Sequence, residues 1–279
     1  MSRIEATFAA LRGAGRKALV PFVTAGDPAL DATVPVLHAL VAGGADVLEL
    51  GVPFSDPMAD GPVIQRSSER ALARGAGLAY VLDTVRAFRE TDARTPVVLM
   101  GYLNPVEIRG VERFAADAAD AGVDGVLLVD LPPEEAGDLR AALSARAVDL
   151  ILLASPTTPD ARLQRLCGDA QGYLYFVSFA GVTGADRLDA GAAAGRLQAL
   201  RAASAVPVLA GFGIRDAATA CAMAAHADGV VVGSALVAAI ADAPDSQTAA
   251  AAATRFIAPI RAALDSLDVS LRKTATCPG

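Results

Sequence analysis

The chain has 279 residues, 53% of them hydrophobic, a mean hydropathy of +0.42, a formal charge of -7 and a pI near 4.9. Such a chain can bury a large core, and its acidic balance argues against a nucleic-acid binder, whose electrostatic footprint is basic. Its longest apolar runs, such as 150–154 and 229–233, are far too short to cross a bilayer.

Short β-branched or apolar runs alternate with longer segments of helical period, the pattern of βα units feeding a parallel sheet. The strand candidates are 18–24, 46–50, 96–101, 125–129, 149–154, 173–178, 207–211 and 229–232. Helices fall between them, with 112–121, 133–144 and 216–225 carrying apolar residues at three- and four-residue spacing. The long stretch 63–89 holds two helical pieces broken near Gly75 and Gly77. Three turns share a theme: 42–46, 121–124 and 225–228 each end in aspartate and pass at once into a strand, at Asp46, Asp124 and Asp228. One supersecondary unit is reused. Eight units in an uninterrupted run favour a single closed (β/α)8 TIM barrel over 1–265, with an open doubly wound sheet as the alternative. Residues 266–279 have little to bury and are expected as a loose C-terminal tail.

In a parallel barrel the reactive groups stand at the C-terminal ends of the strands and in the loops after them. Several chemistries fail there. The only lysines are Lys17, before the first strand, and Lys273, in the tail, so no Schiff-base lysine is placed on that face. His38 and His226 fall in helices, where packing or solvent contact suits them better than catalysis. Cys167, Cys221 and Cys277 show neither paired spacing nor a histidine-rich context, which argues against a disulfide framework or a zinc site. With no basic-then-apolar leader pattern at the N-terminus, a reducing cytoplasm is the expected compartment.

What remains at the face is carboxylate, hydroxyl and glycine: Glu49, Asp56, Asp60, Tyr102, Asn104, Asp130 and Tyr175. Glu49 is the sharpest of these, a carboxylate inside an apolar strand. Burial raises a carboxyl's pKa, which suits a group that gives and takes a proton near neutrality. It also suits a carboxylate that ties down backbone or pairs with an arginine, and both readings stand at this point. Strand alternation turns Val47, Glu49 and Gly51 into the barrel and Leu48 and Leu50 toward the helices. For Asp130, a helix cap or turn role fits better than catalysis. Glycines gather after the last three strands, at Gly181, Gly184, Gly211, Gly213 and Gly233. They serve tight turns singly, and together mark the usual phosphate site of such barrels. Arg215 stands at its edge and is equally suited to solvent.

Six segments closely resemble the α chain of tryptophan synthase: Pro21-Phe-Val-Thr-Ala-Gly-Asp27, Glu49-Leu-Gly-Val-Pro-Phe-Ser-Asp-Pro-Met-Ala-Asp-Gly-Pro62, Met100-Gly-Tyr-Leu-Asn-Pro105, Asp130-Leu-Pro132, Gly181-Val-Thr-Gly184 and Gly211-Phe-Gly213. The resemblance runs from the first strand to about Ala263, and the segment around Glu49 is its most specific part. It implies retro-aldol cleavage of indole-3-glycerol phosphate to indole and D-glyceraldehyde 3-phosphate, in L-tryptophan biosynthesis, with no cofactor in this chain. It makes Glu49 the acid and base and Asp60 the partner of the indole N–H. Phe22, Met100, Tyr102, Leu127, Val129, Leu153, Tyr175, Phe212 and Val231 would wall the indole or position catalytic groups. Thr183, Gly184, Gly213, Gly233 and Ser234 would hold phosphate.

The resemblance further implies an α2β2 heterotetramer with a β chain that carries pyridoxal phosphate, contacted around Pro53, Asp56 and Pro57. Two loops, 56–61 and 181–191, are expected to close over the site and exclude water. Phe179 departs from the pattern, since a basic or smaller residue is expected at the base of the second loop. Three other readings share the pocket: a freestanding lyase that releases indole without a partner, a regulatory subunit with little catalysis, and a sugar-phosphate isomerase or epimerase. Intact Glu49 and Asp60 weigh against the second, and the apolar pocket without metal ligands against the third.

Overall fold

The computed structural model describes residues 1–177, 190–211 and 213–275, with side chains described outside 190–193 and 268–275. Its strands are β1 (Ala18–Thr24), β2 (Leu48–Gly51), β3 (Val97–Gly101), β4 (Gly125–Leu128), β5 (Asp149–Ala154), β6 (Leu174–Val177), β7 (Val208–Gly211) and β8 (Gly229–Val232). Each pairs in parallel with the next, and β8 closes on β1. The chain is therefore a (β/α)8 barrel, and the open-sheet alternative falls.

The helices are α1 (Arg3–Ala14), α2 (Thr33–Ala42), α3 (Pro62–Ala73), α4 (Leu78–Arg89), α5 (Leu103–Arg109) and α6 (Val111–Ala121). They continue as α7 (Gly137–Ser144), α8 (Asp160–Asp169), α9 (Ala190–Ala203), α10 (Ala217–Ala224), α11 (Ser234–Ile240) and α12 (Ser246–Ala275). The break between α3 and α4 falls at 74–77, as the glycines there predict. Two expectations shift. The helix expected over 133–144 starts only at Gly137, because 133–136 form a turn. The segment expected as a loose tail from 266 continues as the last turns of α12 through Ala275, while 276–279 lie outside the described residues.

Alternation along the strands sorts the core into two layers. Val47, Val98, Leu127, Ile151, Tyr173, Leu209 and Val231 fill the barrel interior, whereas Leu48, Leu50, Val97, Leu99 and Val126 pack outward against the helices. Helix α1, which strand and helix periodicity after residue 18 does not reveal, closes the bottom of the barrel with Ile4, Phe8 and Leu11. Its signal lies in the sequence as a capping box: the Ser2 hydroxyl accepts from the Glu5 N–H while the Glu5 carboxylate accepts from the Ser2 N–H.

The repeated turn theme has a mechanical role at this lower end. The carboxylates of Asp46, Asp124 and Asp228 accept the N–H of Leu19, Val97 and Val208, each at the start of the preceding strand. Gln171 does the same for Leu150 through its side-chain oxygen. Each clamp satisfies a backbone donor at the barrel rim. The aspartates are held in turn by arginines: Asp46 by Arg261, Asp124 by Arg89 and Arg3, and Asp228 by Arg201. These bonds leave the opposite, C-terminal rim free to carry chemistry. Lys17 lies at the lower end, donating to the Ala227 carbonyl at 2.7 Å. His38 stacks on Phe88 with ring centres 4.7 Å apart, and His226 lies in the turn just past α10; neither reaches the upper rim.

Candidate active site

Glu49 is fully buried (0% exposed) on β2 and points into the barrel, where it borders a cavity of about 770 Å³ at the C-terminal mouth. The Tyr173 hydroxyl donates to Oε1 at 2.6 Å, and Oε2 has no hydrogen-bond partner. Among the described residues neither a backbone N–H nor an arginine reaches this carboxylate. Burial lifts its pKa from 4.5 to about 7, with the Tyr173 hydrogen bond pulling the other way. The group is thus poised to exist in both protonation states near neutral pH.

Asp60 stands on the loop between β2 and α3. Its carboxylate accepts from the Tyr102 hydroxyl at 3.1 Å, and that hydroxyl accepts in turn from the Ala59 N–H at 3.0 Å. Burial raises the Asp60 carboxyl above its ordinary range, and the Tyr102 bond opposes this. The loop is braced from both sides. Gln65 on α3 donates to the Asp60 carbonyl at 2.9 Å, and Phe54 stacks on Tyr102 with ring centres 5.1 Å apart. Asp130 resolves to a structural role, since its carboxylate accepts the Leu103 N–H at 2.8 Å and caps α5, whose own N-cap residue Tyr102 supplies no side-chain cap.

Phe22, Met100, Val129, Leu153, Tyr175 and Val231 line the cavity together with Glu49 and Asp60. Gly213, Gly233 and Ser234 line it at one side, with Ser234 opening α11 and Gly213 at φ +71°, a conformation that favours glycine. Two expected pocket residues are set back. Tyr102 borders a small recess behind Asp60 and is hydrogen-bonded to that carboxylate, and Leu127 is fully buried in the barrel interior, off the cavity wall. Phe179, Thr183, Gly184 and Phe212 lie outside the described residues, as does 181–189 of the second expected lid. Of the expected contact residues, Pro53 is buried, Pro57 half-buried and Asp56 exposed.

Sequence reasoning passed over Tyr173, and it named Gly51 and Gly211 without the contacts they make. Tyr173 holds Glu49, and its signal was available: two residues before Tyr175, it shares the inward face. Gly51 and Gly211 seat aromatic rings. A Cβ on Gly51 would stand 2.5 Å from Cζ of Phe22, and one on Gly211 would stand 2.1 Å from the Tyr175 hydroxyl. No local signal marks these contacts, because each joins neighbouring strands.

A cavity at the C-terminal mouth, with apolar walls around a buried carboxyl, places the chain in the class of (β/α)8 barrel proteins whose site lies at that rim. The family model described as tryptophan synthase alpha chain matches residues 8–264. The tryptophan synthase alpha chain of Xylella fastidiosa (strain M12) is 68% identical over 267 residues, covering 96% of this chain and 100% of the relative. That of Xanthomonas euvesicatoria pv. vesicatoria (strain 85-10) is 68% identical over 95% of this chain and 99% of its own length. Among solved structures, tryptophan synthase subunit alpha from Legionella pneumophila str. Paris superposes with a TM-score of 0.89 at 44% identity, covering 95% of this chain and 99% of that one. The chain belongs to the tryptophan synthase alpha chain family. It is the lyase subunit of tryptophan biosynthesis, and its reaction is the retro-aldol cleavage of indole-3-glycerol phosphate to indole and D-glyceraldehyde 3-phosphate.

Proposed function

We propose that Glu49 carries out both proton transfers of this cleavage and that Asp60 balances charge on the indole nitrogen. The observation that carries the reading is the Glu49 carboxyl: buried at the cavity, one oxygen held by Tyr173, the other without a partner, and a pKa lifted to about 7. As the neutral acid, Glu49 gives its proton to ring carbon C3, which makes the ring nitrogen cationic. The Asp60 carboxylate accepts the N–H of that cation. Glu49, now a carboxylate, takes the proton from the side-chain hydroxyl next to the bond to be broken. The oxygen electrons form the aldehyde carbonyl, the carbon–carbon bond breaks, and its electron pair returns to the ring, neutralising the nitrogen. One carboxyl thus ends in the form in which it began, which requires a pKa near the working pH.

Phe22, Met100, Val129, Leu153, Tyr175 and Val231 suit the walls of an indole pocket, being apolar or aromatic and bordering the cavity. Gly213, Gly233 and Ser234, with Thr183 and Gly184, hold the phosphate. Support comes from the placement of the first three on one side of the cavity, at the loops after β7 and β8. The loop 56–61 and the loop 181–191 close over the substrate, Phe212 adds to the wall, and Tyr102 positions Asp60.

The partner in this reading is a tryptophan synthase β chain in an α2β2 heterotetramer in the cytoplasm, with pyridoxal phosphate in the β chain. The loop carrying Pro53, Asp56 and Pro57 makes the contact. Its support is two exposed apolar side chains on segments that follow strands at the catalytic end: Met58 on that loop is 88% exposed and Ile108 on α5 is 80% exposed. The test is indole release from indole-3-glycerol phosphate by the purified chain, alone and with β chain added, with Glu49→Gln as control. Slow release that accelerates with the β chain and vanishes in Glu49→Gln is expected. Fast release that ignores the β chain would assign a freestanding lyase, and release that persists in Glu49→Gln would remove Glu49 from the chemistry.

A further inference from the structure

We propose that Gly51 is a specificity-determining residue, which sets the width of the aryl end of the cavity by giving the Phe22 ring a seat on β2. The proposal rests on the reading of that cavity as the indole pocket. Phe22 and Glu49 are register partners across β1 and β2, so Gly51, two residues further along β2, stands on the same inward face one step nearer the mouth. A Cβ built on Gly51 would meet Phe22 Cζ at 2.5 Å and Cε2 at 2.8 Å, well inside contact distance. The ring therefore rests on a strand position that has no side chain.

What the ring would do on meeting a methyl group follows from its surroundings. Ile64 and Val237, both buried, pack against it, and Met100 is partly buried in the same cluster. On the β8 side a Cβ at Gly233 would already stand at ordinary contact distance, 3.6 Å, from Phe22 Cβ and Cδ1. Phe22 and Glu49 both border the cavity, so the open direction for a displaced ring is into it, across the approach to Glu49. Interiors are close-packed and overfilling one moves side chains toward whatever space is left. Gly51 does not touch the reacting atoms in this account. It acts through Phe22, and its influence falls on the ring of the substrate and not on its phosphate.

That division supplies the test. Two probes are titrated into the isolated chain by calorimetry: indole-3-propyl phosphate, which has the ring and the phosphate but no hydroxyls to react, and glycerol 3-phosphate, which has no ring. Gly51→Ala is expected to weaken the indole probe about ten-fold, the scale of one overfilled contact, while glycerol 3-phosphate binds as before. Adding Phe22→Leu, which removes the distal ring atoms that collide, is expected to recover at least about five-fold of that loss, a coupling that independent sites do not show. The same ordering is expected in cleavage, with the loss in Gly51→Ala carried by KM more than by kcat. Unchanged binding of the indole probe in Gly51→Ala would overturn the proposal. So would equal losses for both probes, or a double variant no better than Gly51→Ala. If the unsubstituted chain binds neither probe, the assignment of the cavity itself fails, and the proposal with it.

Discussion

Replacing Glu49 with glutamine should stabilise the fold, by an amount that grows with pH. The folded-state pKa of this carboxyl is raised, from 4.5 to about 7, because burial removes water from the charged form. Between those values the folded chain binds a proton that the unfolded chain has released, so stability falls as pH rises through this window. The penalty is nearly absent below 4.5 and complete above 7. At about 1.4 kcal/mol per pKa unit it reaches about 3 kcal/mol at pH 8, and is below about 1 kcal/mol at pH 5. Glutamine keeps the shape and has no charge to bury, so the variant escapes the penalty at every pH. Thermal unfolding of both chains at pH 5 and pH 8 reads the difference directly. The gain in Tm of Glu49→Gln over the unsubstituted chain should widen by about 5 to 10 °C between the two. An equal gain, or none, at both pH values would mean that Glu49 ionises in the folded chain without cost, and the account of its pKa would be wrong. The cost of a carboxyl buried in an apolar barrel is thus visible as lost stability.

Tyr173→Phe removes the donor that favours the charged form of Glu49, a bond to a charged group being worth about 1.5–3 kcal/mol. The limb of the pH dependence of kcat/KM that belongs to Glu49 should move upward by about one pH unit, and an unmoved limb would show that Tyr173 does not tune it. Ser234→Asp places a negative charge against the phosphate side of the cavity and should weaken substrate binding at least about ten-fold, since a like charge at close range disfavours an anion; unchanged affinity for glycerol 3-phosphate would contradict the phosphate assignment. Asp124→Ala leaves the largely buried Arg89 with backbone carbonyls but without its carboxylate partner, and frees the Val97 N–H. Breaking a buried pair in this way costs about 3–5 kcal/mol, so a loss under about 1 kcal/mol in equilibrium unfolding would show that this clamp does not brace the barrel.

Much of the molecule is legible in the residues alone, and for one reason: period and turn chemistry are local. Alternation along β2 turned Glu49 inward and Leu48 and Leu50 outward, and the structure follows it. The eight strands fall within one or two residues of their expected bounds, and the proton-transfer chemistry follows from what the upper rim lacks. The segment around Glu49 also carried the family resemblance, which residue patterns this long preserve. Other features join positions far apart in the chain and required the closed barrel. Whether Glu49 serves chemistry or structure depends on what surrounds it, and only the fold brings Tyr173, 124 residues away, to one oxygen while leaving the other unbonded. The role of the repeated aspartates emerges the same way, because each clamps a strand that precedes its own by a whole βα unit. The seat of Phe22 on Gly51 is of this kind too, a contact between neighbouring strands that no window of sequence contains. Local preference chose the elements and their inward faces; barrel closure, by deciding which strands are neighbours, determined the partners that set each group's charge, reach and room.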